Sequence, residues 1–252
     1  MVEADATSLD AILGGRLKLR QTRDGHRVGL DAILLAAAAG EAPAARLADV
    51  GAGVGAVGLA LLQRWPAAAG ILIEIDAGLA ALAEENAALN GLSARARIVV
   101  ADALDPKSRR AAGLVDEAAD LVVANPPYLA AAAARASPDA RRARAHVAGE
   151  GPVALADWVV ACLALLAPGG RFVMIQRADA LPALLPAFER RLGEVALRPV
   201  HPRADAPAIR LLISGTKGSK APLRILPGLT LHEADGAATP LAAAIQRGEA
   251  AL

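Results

Sequence analysis

Four consecutive residues, Asn125, Pro126, Pro127 and Tyr128, have the types and order needed for chemistry on a planar nitrogen. The lone pair of an aryl or amide NH2 group is delocalised, so such a nitrogen is a poor nucleophile. The side-chain oxygen of Asn125 and the backbone carbonyl of Pro126 can each accept one N–H, which turns the lone pair toward an electrophile and stabilises the developing positive charge. The prolines keep the turn rigid, and Tyr128 offers a flat face for stacking a base. This motif predicts methylation of such an amine.

A glycine-rich segment, residues 48–58, is the second motif that indicates chemistry. Gly51, Gly53 and Gly55 follow a short hydrophobic run and precede a helical pattern. Glycines there allow a tight turn and a close approach of the backbone to a ligand. As G-x-G-x-G the segment suits a nucleoside cofactor, whereas from Gly53 to Gly58 it also matches the G-x-G-x-x-G dinucleotide fingerprint. The segment by itself leaves both interpretations open.

Two acidic residues lie where a nucleoside would need them. Glu74 closes the second predicted strand about 20 residues after the glycines, where a carboxylate can accept hydrogen bonds from ribose hydroxyls. Asp102 follows the third predicted strand, and its carboxylate can bind the exocyclic amine of an adenine ring. An Asp at the end of a strand is also a common helix N-cap. Asp102 therefore gains weight only in combination with the other motifs.

The elements that must position these residues alternate between strands and helices from residue 46 onward. We predict strands at 47–50, 71–75, 97–100, 121–124, 172–175 and 209–214, with helices at 57–64, 78–89, 153–166 and 181–192. This alternation is typical of an α/β fold with a doubly wound, mostly parallel sheet, here expected to have seven strands. Ligands bind at the carboxyl ends of strands in such sheets, where all four motifs fall.

Three segments follow from this pattern. Residues 1–45 form an N-terminal extension that ends in an Ala-rich helix, residues 46–215 the α/β domain, and residues 216–252 a small β appendage and a helix. In the appendage we expect residues 223–226 and 229–232 to pair around Pro227 and Gly228.

The combined motifs resemble the class I S-adenosylmethionine-dependent methyltransferases with an N-P-P-Y motif, which have a Rossmann-like fold. Residues 21–31 and several C-terminal stretches extend the resemblance to the bacterial tRNA(Val) adenine N6-methyltransferase family. The resemblance implies S-adenosylmethionine as cofactor and, as partner, a tRNA whose adenine just 3′ of the anticodon is methylated at N6. Residues 27–31 would close over the cofactor, Glu74 would bind its ribose and Asp102 its adenine, while residues 125–128 would hold the target base.

The residues that this resemblance assigns fall into two sets. The cofactor-binding set is Arg27, Gly29, Asp31, Asp49, Gly51, Gly53, Gly55, Glu74, Ile75, Asp102 and Ala103, and the catalytic set is Asn125, Pro126, Pro127 and Tyr128. Basic residues provide a candidate rim for RNA: Arg141, Arg142, Arg144, Arg210, Lys217 and Lys220. Such a rim would act through contacts with phosphates.

Composition limits the remaining classes of function. With 27 Lys and Arg against 26 Asp and Glu, the net charge of +1 argues against nucleic-acid binding by bulk electrostatics. The single cysteine rules out an internal disulfide framework, and the four histidines lack the spacing of metal ligands, so we expect no metal. The sequence shows neither a secretory signal nor an apolar run long enough for a membrane span, so we expect a cytoplasmic protein.

Three alternatives stay open. A glutamine side-chain amide of a translation factor presents the same two N–H donors as an adenine amine, so a protein glutamine N5-methyltransferase would use the same motif. An NAD-dependent oxidoreductase would use residues 53–58 but leaves residues 125–128 without a role. A non-catalytic relative that only binds cofactor or RNA would not need Asn125 and Tyr128.

Overall fold

The computed structural model describes residues 7–23, 27–127 and 155–252. Within them the chain begins with an antiparallel hairpin of β1 (Thr7–Ile12) and β2 (Leu17–Thr22), which is separate from the main sheet. The predictions for Tyr128, Arg141, Arg142 and Arg144 lie outside the described residues.

The main sheet contains nine strands in the described part of the chain. They are β3 (Arg46–Val50), β4 (Ala69–Glu74), β5 (Ala96–Val100), β6 (Ala119–Ala124), β7 (Leu166–Arg177), β8 (Leu192–Arg203), β9 (Arg210–Lys217), β10 (Arg224–Ile225) and β11 (Leu229–His232). Their order is β10-β8-β9-β7-β6-β3-β4-β5, with β11 also on β8. Strand β9 runs antiparallel to its neighbours β7 and β8, and the other pairs are parallel.

Helices cover both faces of this sheet. They are α1 (Leu30–Ala38), α2 (Ala56–Arg64), α3 (Ala77–Leu89), α4 (Pro106–Ala111), α5 (Leu155–Leu165), α6 (Leu181–Phe188) and α7 (Pro240–Gln246). One core joins the hairpin with α1, α2, α3 and α7, and a second core joins α5 and α6 to the opposite face. No helix in the described ranges is long and apolar enough to cross a membrane.

The predicted α/β class with a mostly parallel sheet is confirmed, and all six predicted strands are present. Two expectations need correction. The sheet has nine strands instead of seven, and β10 and β11 do not pair with each other but both add in parallel to β8. Strand β8 was missed in the sequence because Pro199 and Pro202 interrupt its apolar pattern, which is tolerated on a strand near the sheet edge. Its outer edge then accepts the two short strands.

Local signals placed most helix ends correctly. Helix α3 ends at its C-cap Asn90, followed by Gly91 with φ 69°, as the Asn-Gly pair predicted. Residues 168–170, in contrast, do not end α5, because that helix stops at Leu165 and these residues already belong to β7.

The order of strands bears on whether the glycine segment binds a nucleoside cofactor or a dinucleotide, which the sequence left open. Dinucleotide-binding folds of the Rossmann type use the parallel order 3-2-1-4-5-6. Here β5, β4, β3, β6 and β7 follow the same order, but antiparallel β9 is inserted between β7 and β8. The fold therefore departs from the dinucleotide-binding arrangement in the half of the sheet beyond β7.

Candidate active site at the carboxyl edge of the sheet

A cavity of about 810 Å³, the carboxyl-edge cavity, lies where the parallel strands end. The glycine loop after β3, the first turns of α1, the residues after β6 and the start of β9 form its walls. Nine of the residues singled out in the sequence line it: Gly29, Asp31, Asp49, Gly51, Gly53, Asn125, Pro126, Pro127 and Arg210. The loop suited to a nucleoside and the motif suited to an amine thus face one space.

The three loop glycines all have left-handed backbone, with φ of 72°, 57° and 87° at Gly51, Gly53 and Gly55. Their surroundings differ. A Cβ on Gly51 would lie 2.8 Å from the ring of Trp158, and one on Gly55 would lie 3.1 Å from Leu59, so both are packed against side chains. A Cβ on Gly53 would meet no atom within 4 Å. Gly53 therefore keeps open the part of the cavity next to its own backbone.

Glu74 fixes the glycine loop. The side chain is buried, its Oε2 accepts from Gly53 N at 2.7 Å, and its Oε1 accepts from the backbone N–H groups of Ile75 at 2.9 Å and Asp76 at 3.0 Å. Buried carboxylates require such donors. The contact joins the end of β4 to the loop, and ribose binding by Glu74 stays a prediction.

Asp49 holds the other end of the loop. Its buried Oδ2 accepts from Gly58 N at 2.7 Å, inside α2. A Cβ on Gly58 would lie 2.9 Å from Leu72, so this glycine serves the packing of the helix on β4. Burial is the largest cause that raises the pKa of Asp49 to about 7. The charge of Glu74 also raises this pKa, whereas the hydrogen bond from Gly58 lowers it.

The loop after β5 is held by its own contacts. Asp102 Oδ1 accepts from Leu104 N at 2.9 Å, and Asp102 N donates to Ser108 Oγ at 3.0 Å. The carbonyl of Ala103 accepts from Nη1 of buried Arg109 at 2.7 Å. The N-cap of α4 is Asp105, so Asp102 is not the helix cap that its position also allowed. Its role in binding adenine stays a prediction.

Residues 27–31 connect the hairpin to the cavity. Arg27 Nη2 donates to Asp10 Oδ2 at 2.7 Å, and Arg210 Nε donates to Asp31 Oδ2 at 3.0 Å. The ion pair of Asp31 and Arg210, about one quarter exposed on each side chain, joins α1 to β9 across the cavity wall. Arg210 thus lies at the cavity wall, and its contact with RNA stays a prediction.

The structure places Lys217 and Lys220 away from the cavity that Arg210 lines. Because β9 is antiparallel, Lys217 lies at the opposite edge of the sheet, beside Leu192 at the start of β8. Its Nζ donates to the carbonyls of Leu163 and Leu166 at 2.8 and 2.7 Å and to Glu117 Oε1 at 2.9 Å. Exposed Lys220 follows three residues later. Strand direction, which a lone sequence does not reveal, decides their place.

Sequence reasoning assigned no role at the site to three residues that support it. Gln21 and Asn86 are buried amides that hydrogen-bond to the walls of the cavity, and Trp158 packs on Gly51. Polar residues in otherwise apolar helical or strand patterns are a weak signal, but Asn86 and Asn90 at a spacing of four place two amides on one face of α3.

The donor set suits a nucleoside cofactor. The cavity volume is typical of small-ligand sites, and a Cβ on Gly29, like one on Gly53, would enter open space in its wall. In the described ranges, no group of three or more His, Cys, Asp or Glu side chains could hold a metal ion.

Comparisons with known proteins agree with this geometry. The methyltransferase small domain family matches residues 28–151. A relative from Porphyromonas gingivalis, named tRNA1(Val) (adenine(37)-N6)-methyltransferase, is 36% identical over 67% of this chain and 66% of its own length, slightly less than two thirds. A relative of the same name from Aeromonas hydrophila is 32% identical over 83% of this chain and 84% of its own length.

A solved structure extends the likeness to the whole fold. The predicted O-methyltransferase Atu636 from Agrobacterium tumefaciens has a TM-score of 0.73 and 31% identity, covering 88% of this chain and 98% of its own. The chain therefore belongs to the tRNA1(Val) (adenine(37)-N6)-methyltransferase family, a group of S-adenosylmethionine-dependent enzymes.

Proposed function

We propose that this protein transfers a methyl group from S-adenosylmethionine to the exocyclic N6 amine of an adenine in tRNA near the anticodon. One observation carries the proposal: the glycine loop and residues 125–127 line the same cavity of about 810 Å³. The names of the relatives supply the substrate class. A tRNA substrate would place the protein in the cytoplasm.

The cofactor half of the cavity is the part lined by the glycine loop and the start of α1. We assign to cofactor binding Arg27, Gly29, Asp31, Asp49, Gly51, Gly53, Gly55, Glu74, Ile75, Asp102 and Ala103. Gly29, Asp31, Asp49, Gly51 and Gly53 line the cavity directly. Residues 1–45 would cover the cofactor site, residues 46–215 would form the catalytic domain and residues 216–252 a C-terminal appendage.

The acceptor half of the cavity, lined by residues 125–127, would act by orienting the amine. S-adenosylmethionine supplies, when bound, a methyl group on a positively charged sulfur. Asn125 and the Pro126 carbonyl would accept the two N–H groups of the adenine amine and so orient its lone pair toward the methyl donor. These oxygens would stabilise the positive charge that develops on the nitrogen when it accepts the methyl group, and one N–H proton would then pass to water. The cofactor would leave as a neutral thioether. A strong general base is not needed.

The remaining residues of the proposal act on the RNA. Tyr128 would stack on the target base, and Arg210 at the cavity wall, together with Arg141, Arg142 and Arg144, would contact phosphates.

The test is transfer of label from methyl-labelled S-adenosylmethionine to bulk bacterial tRNA, followed by digestion to nucleosides. We expect labelled N6-methyladenosine from the unaltered protein and a loss of about 100-fold or more in Asn125→Ala. The dissociation constant for S-adenosylmethionine should stay nearly unchanged in that variant. Asn90→Ala, the same substitution outside the cavity, is the matched control.

Two outcomes would contradict the proposal. Label in the glutamine amide of a translation factor, with none in tRNA, would assign the protein to the glutamine N5-methyltransferases. A large loss of cofactor affinity in Asn125→Ala would place that residue in the cofactor half of the site.

A further inference from the structure

The glycine loop lacks side chains that could fix its own peptide groups, so neighbouring elements hold them. The carbonyl of Ile73 accepts from Gly51 N and Ala52 N at 2.9 and 3.0 Å, and Glu74 accepts from Gly53 N at 2.7 Å. The next carbonyl, that of Val54, accepts from Nδ2 of Asn86 at 2.9 Å. Val54 itself lines the carboxyl-edge cavity. Asn86 therefore anchors the peptide group that joins Val54 to Gly55, the N-cap of α2.

The same amide also binds the N-terminal hairpin. Asn86 Oδ1 accepts from Arg20 N at 2.6 Å, and its Nδ2 donates a second bond to the Arg20 carbonyl at 3.0 Å. The side chain is fully buried. An amide NH2 has two hydrogens, so one goes to the hairpin and the other to the glycine loop. The position of β2 thus sets the position of the donor that holds Val54.

Asn90, one turn further along α3, makes the corresponding contact with the hairpin alone. Its Oδ1 accepts from Lys18 N at 3.0 Å, and its Nδ2 donates to the Lys18 carbonyl at 2.7 Å. A second bond from Nδ2, at 2.7 Å, goes to the Asn86 carbonyl within α3. The two amides line the free edge of β2 as a third strand would, but only Asn86 reaches the cavity wall.

The next residue of β2 after Arg20 ties the hairpin to the cavity as well. Buried Gln21 accepts from Val28 N at 2.7 Å through Oε1 and donates to Asp10 Oδ2 at 2.9 Å. Val28 lines the cavity. Strand β2 therefore contacts both walls of the cofactor half, through Gln21 to the segment before α1 and through Asn86 to the glycine loop.

We propose that Asn86 is a positioning residue for the cofactor site, whose side-chain amide couples the docked N-terminal hairpin to the glycine loop. The hairpin is then an integral part of cofactor binding instead of a separate cover. The proposal rests on the assignment of the cofactor half of the cavity and does not depend on the identity of the methyl acceptor.

The test compares Asn86→Ala with Asn90→Ala in the full chain, using the dissociation constant for S-adenosylmethionine by titration calorimetry and the thermal midpoint of each protein. Both variants lose two hydrogen bonds to β2, so both should lower the midpoint. We expect Asn86→Ala to bind the cofactor about tenfold more weakly, whereas Asn90→Ala should stay within about twofold. Equal affinities in the two variants would overturn the proposal.

A second pair of variants avoids the void that an alanine side chain leaves at a buried position. Asn86→Asp and Asn90→Asp keep the shape and the acceptor oxygen but remove both donors. Weak binding in Asn86→Asp with near-normal binding in Asn90→Asp is the expected result. Failure of both Asn86 variants to fold would also overturn the proposal, because the residue would then serve the fold as a whole. Binding is measured without tRNA, so a failed methylation assay leaves this test intact.

Discussion

The two edges of the sheet both carry a cavity, but their chemistry is opposite. The amino edge has a cavity of about 620 Å³ lined by Arg46, Arg95 and Arg97. These cations are used by the chain itself: Arg95 Nη1 donates to the carbonyls of Trp65 and Ala68 at 3.1 and 3.0 Å. Arg97 donates to the carbonyl of Ala112 at 3.0 Å, and Arg46 pairs with Asp120 at 2.6 Å.

The carboxyl edge instead gathers acidic and amide side chains around backbone N–H groups. Asp49, Glu74, Asp76 and Asp105 all accept from main-chain N–H groups there. The cause is the direction of the strands: helices begin after the carboxyl ends of parallel strands and end before the amino ends. Unpaired N–H groups therefore collect at one edge and unpaired carbonyls at the other. A basic residue at the amino edge is accordingly a poor marker of a binding site.

The largest expected difference between the two edges is in how the free energy of unfolding depends on pH, through one carboxyl group at each edge. The native state keeps the proton of Asp49 up to about pH 7, whereas the unfolded chain releases it near 3.8. Between these values the native state binds more protons, so the stability falls as pH rises. At about 1.4 kcal/mol per pKa unit this amounts to a few kcal/mol. Asp49→Asn should abolish that slope in chemical unfolding between pH 4 and 8.

Asp120 should show the opposite sign. Hydrogen bonds from Arg46 hold the pKa of Asp120 below its usual value, so its contribution to stability is present above about pH 4 and is lost as pH falls further. Asp120→Asn should remove only that loss at acidic pH. If the unfolding free energy of Asp49→Asn fell with rising pH as steeply as that of the unaltered protein, the expected difference between the edges would be contradicted.

The next effect concerns two glycines with the same backbone strain. Gly53 at the carboxyl edge and Gly169 at the amino edge both have positive φ, and a Cβ on either would meet no atom within 4 Å. Alanine should therefore cost each about 1–2 kcal/mol of stability. Only Gly53→Ala should also weaken S-adenosylmethionine binding, about tenfold, because its Cβ enters the cavity. Equal cofactor affinities would show that the cofactor does not approach Gly53.

The smallest effect should come from Lys217, whose Nζ binds the carbonyls at the end of α5. Lys217→Ala should lower the unfolding free energy by about 1 kcal/mol and leave methyl transfer to tRNA unchanged. Arg210→Ala, at the cavity wall, provides the comparison and should reduce methyl transfer. Reduced methylation in Lys217→Ala at unchanged stability would return that residue to the RNA-binding rim.

Much of the fold was readable in the sequence because its signals are local. The alternation of short apolar runs and helical patterns placed β3, β4, β5 and β6 within two residues of their observed starts. The glycine loop needs left-handed backbone, which glycine alone adopts easily, so its place was fixed by residue type. Strand β8 escaped, since two prolines disrupt its pattern and its identity depends on the neighbour it pairs with.

The site was predicted where consecutive residues suffice and missed where partners are distant in sequence. Asn86 contacts Arg20 and Val54 from 66 and 32 residues away, and no pattern along the chain encodes such a contact. The sequence by itself determined the fold class, the glycine turn and the Asn-Pro-Pro-Tyr motif, because each depends on local conformation or residue chemistry. Only the tertiary structure decided which edge each charged side chain occupies and which amides hold the loop, because strand direction and long-range packing set both.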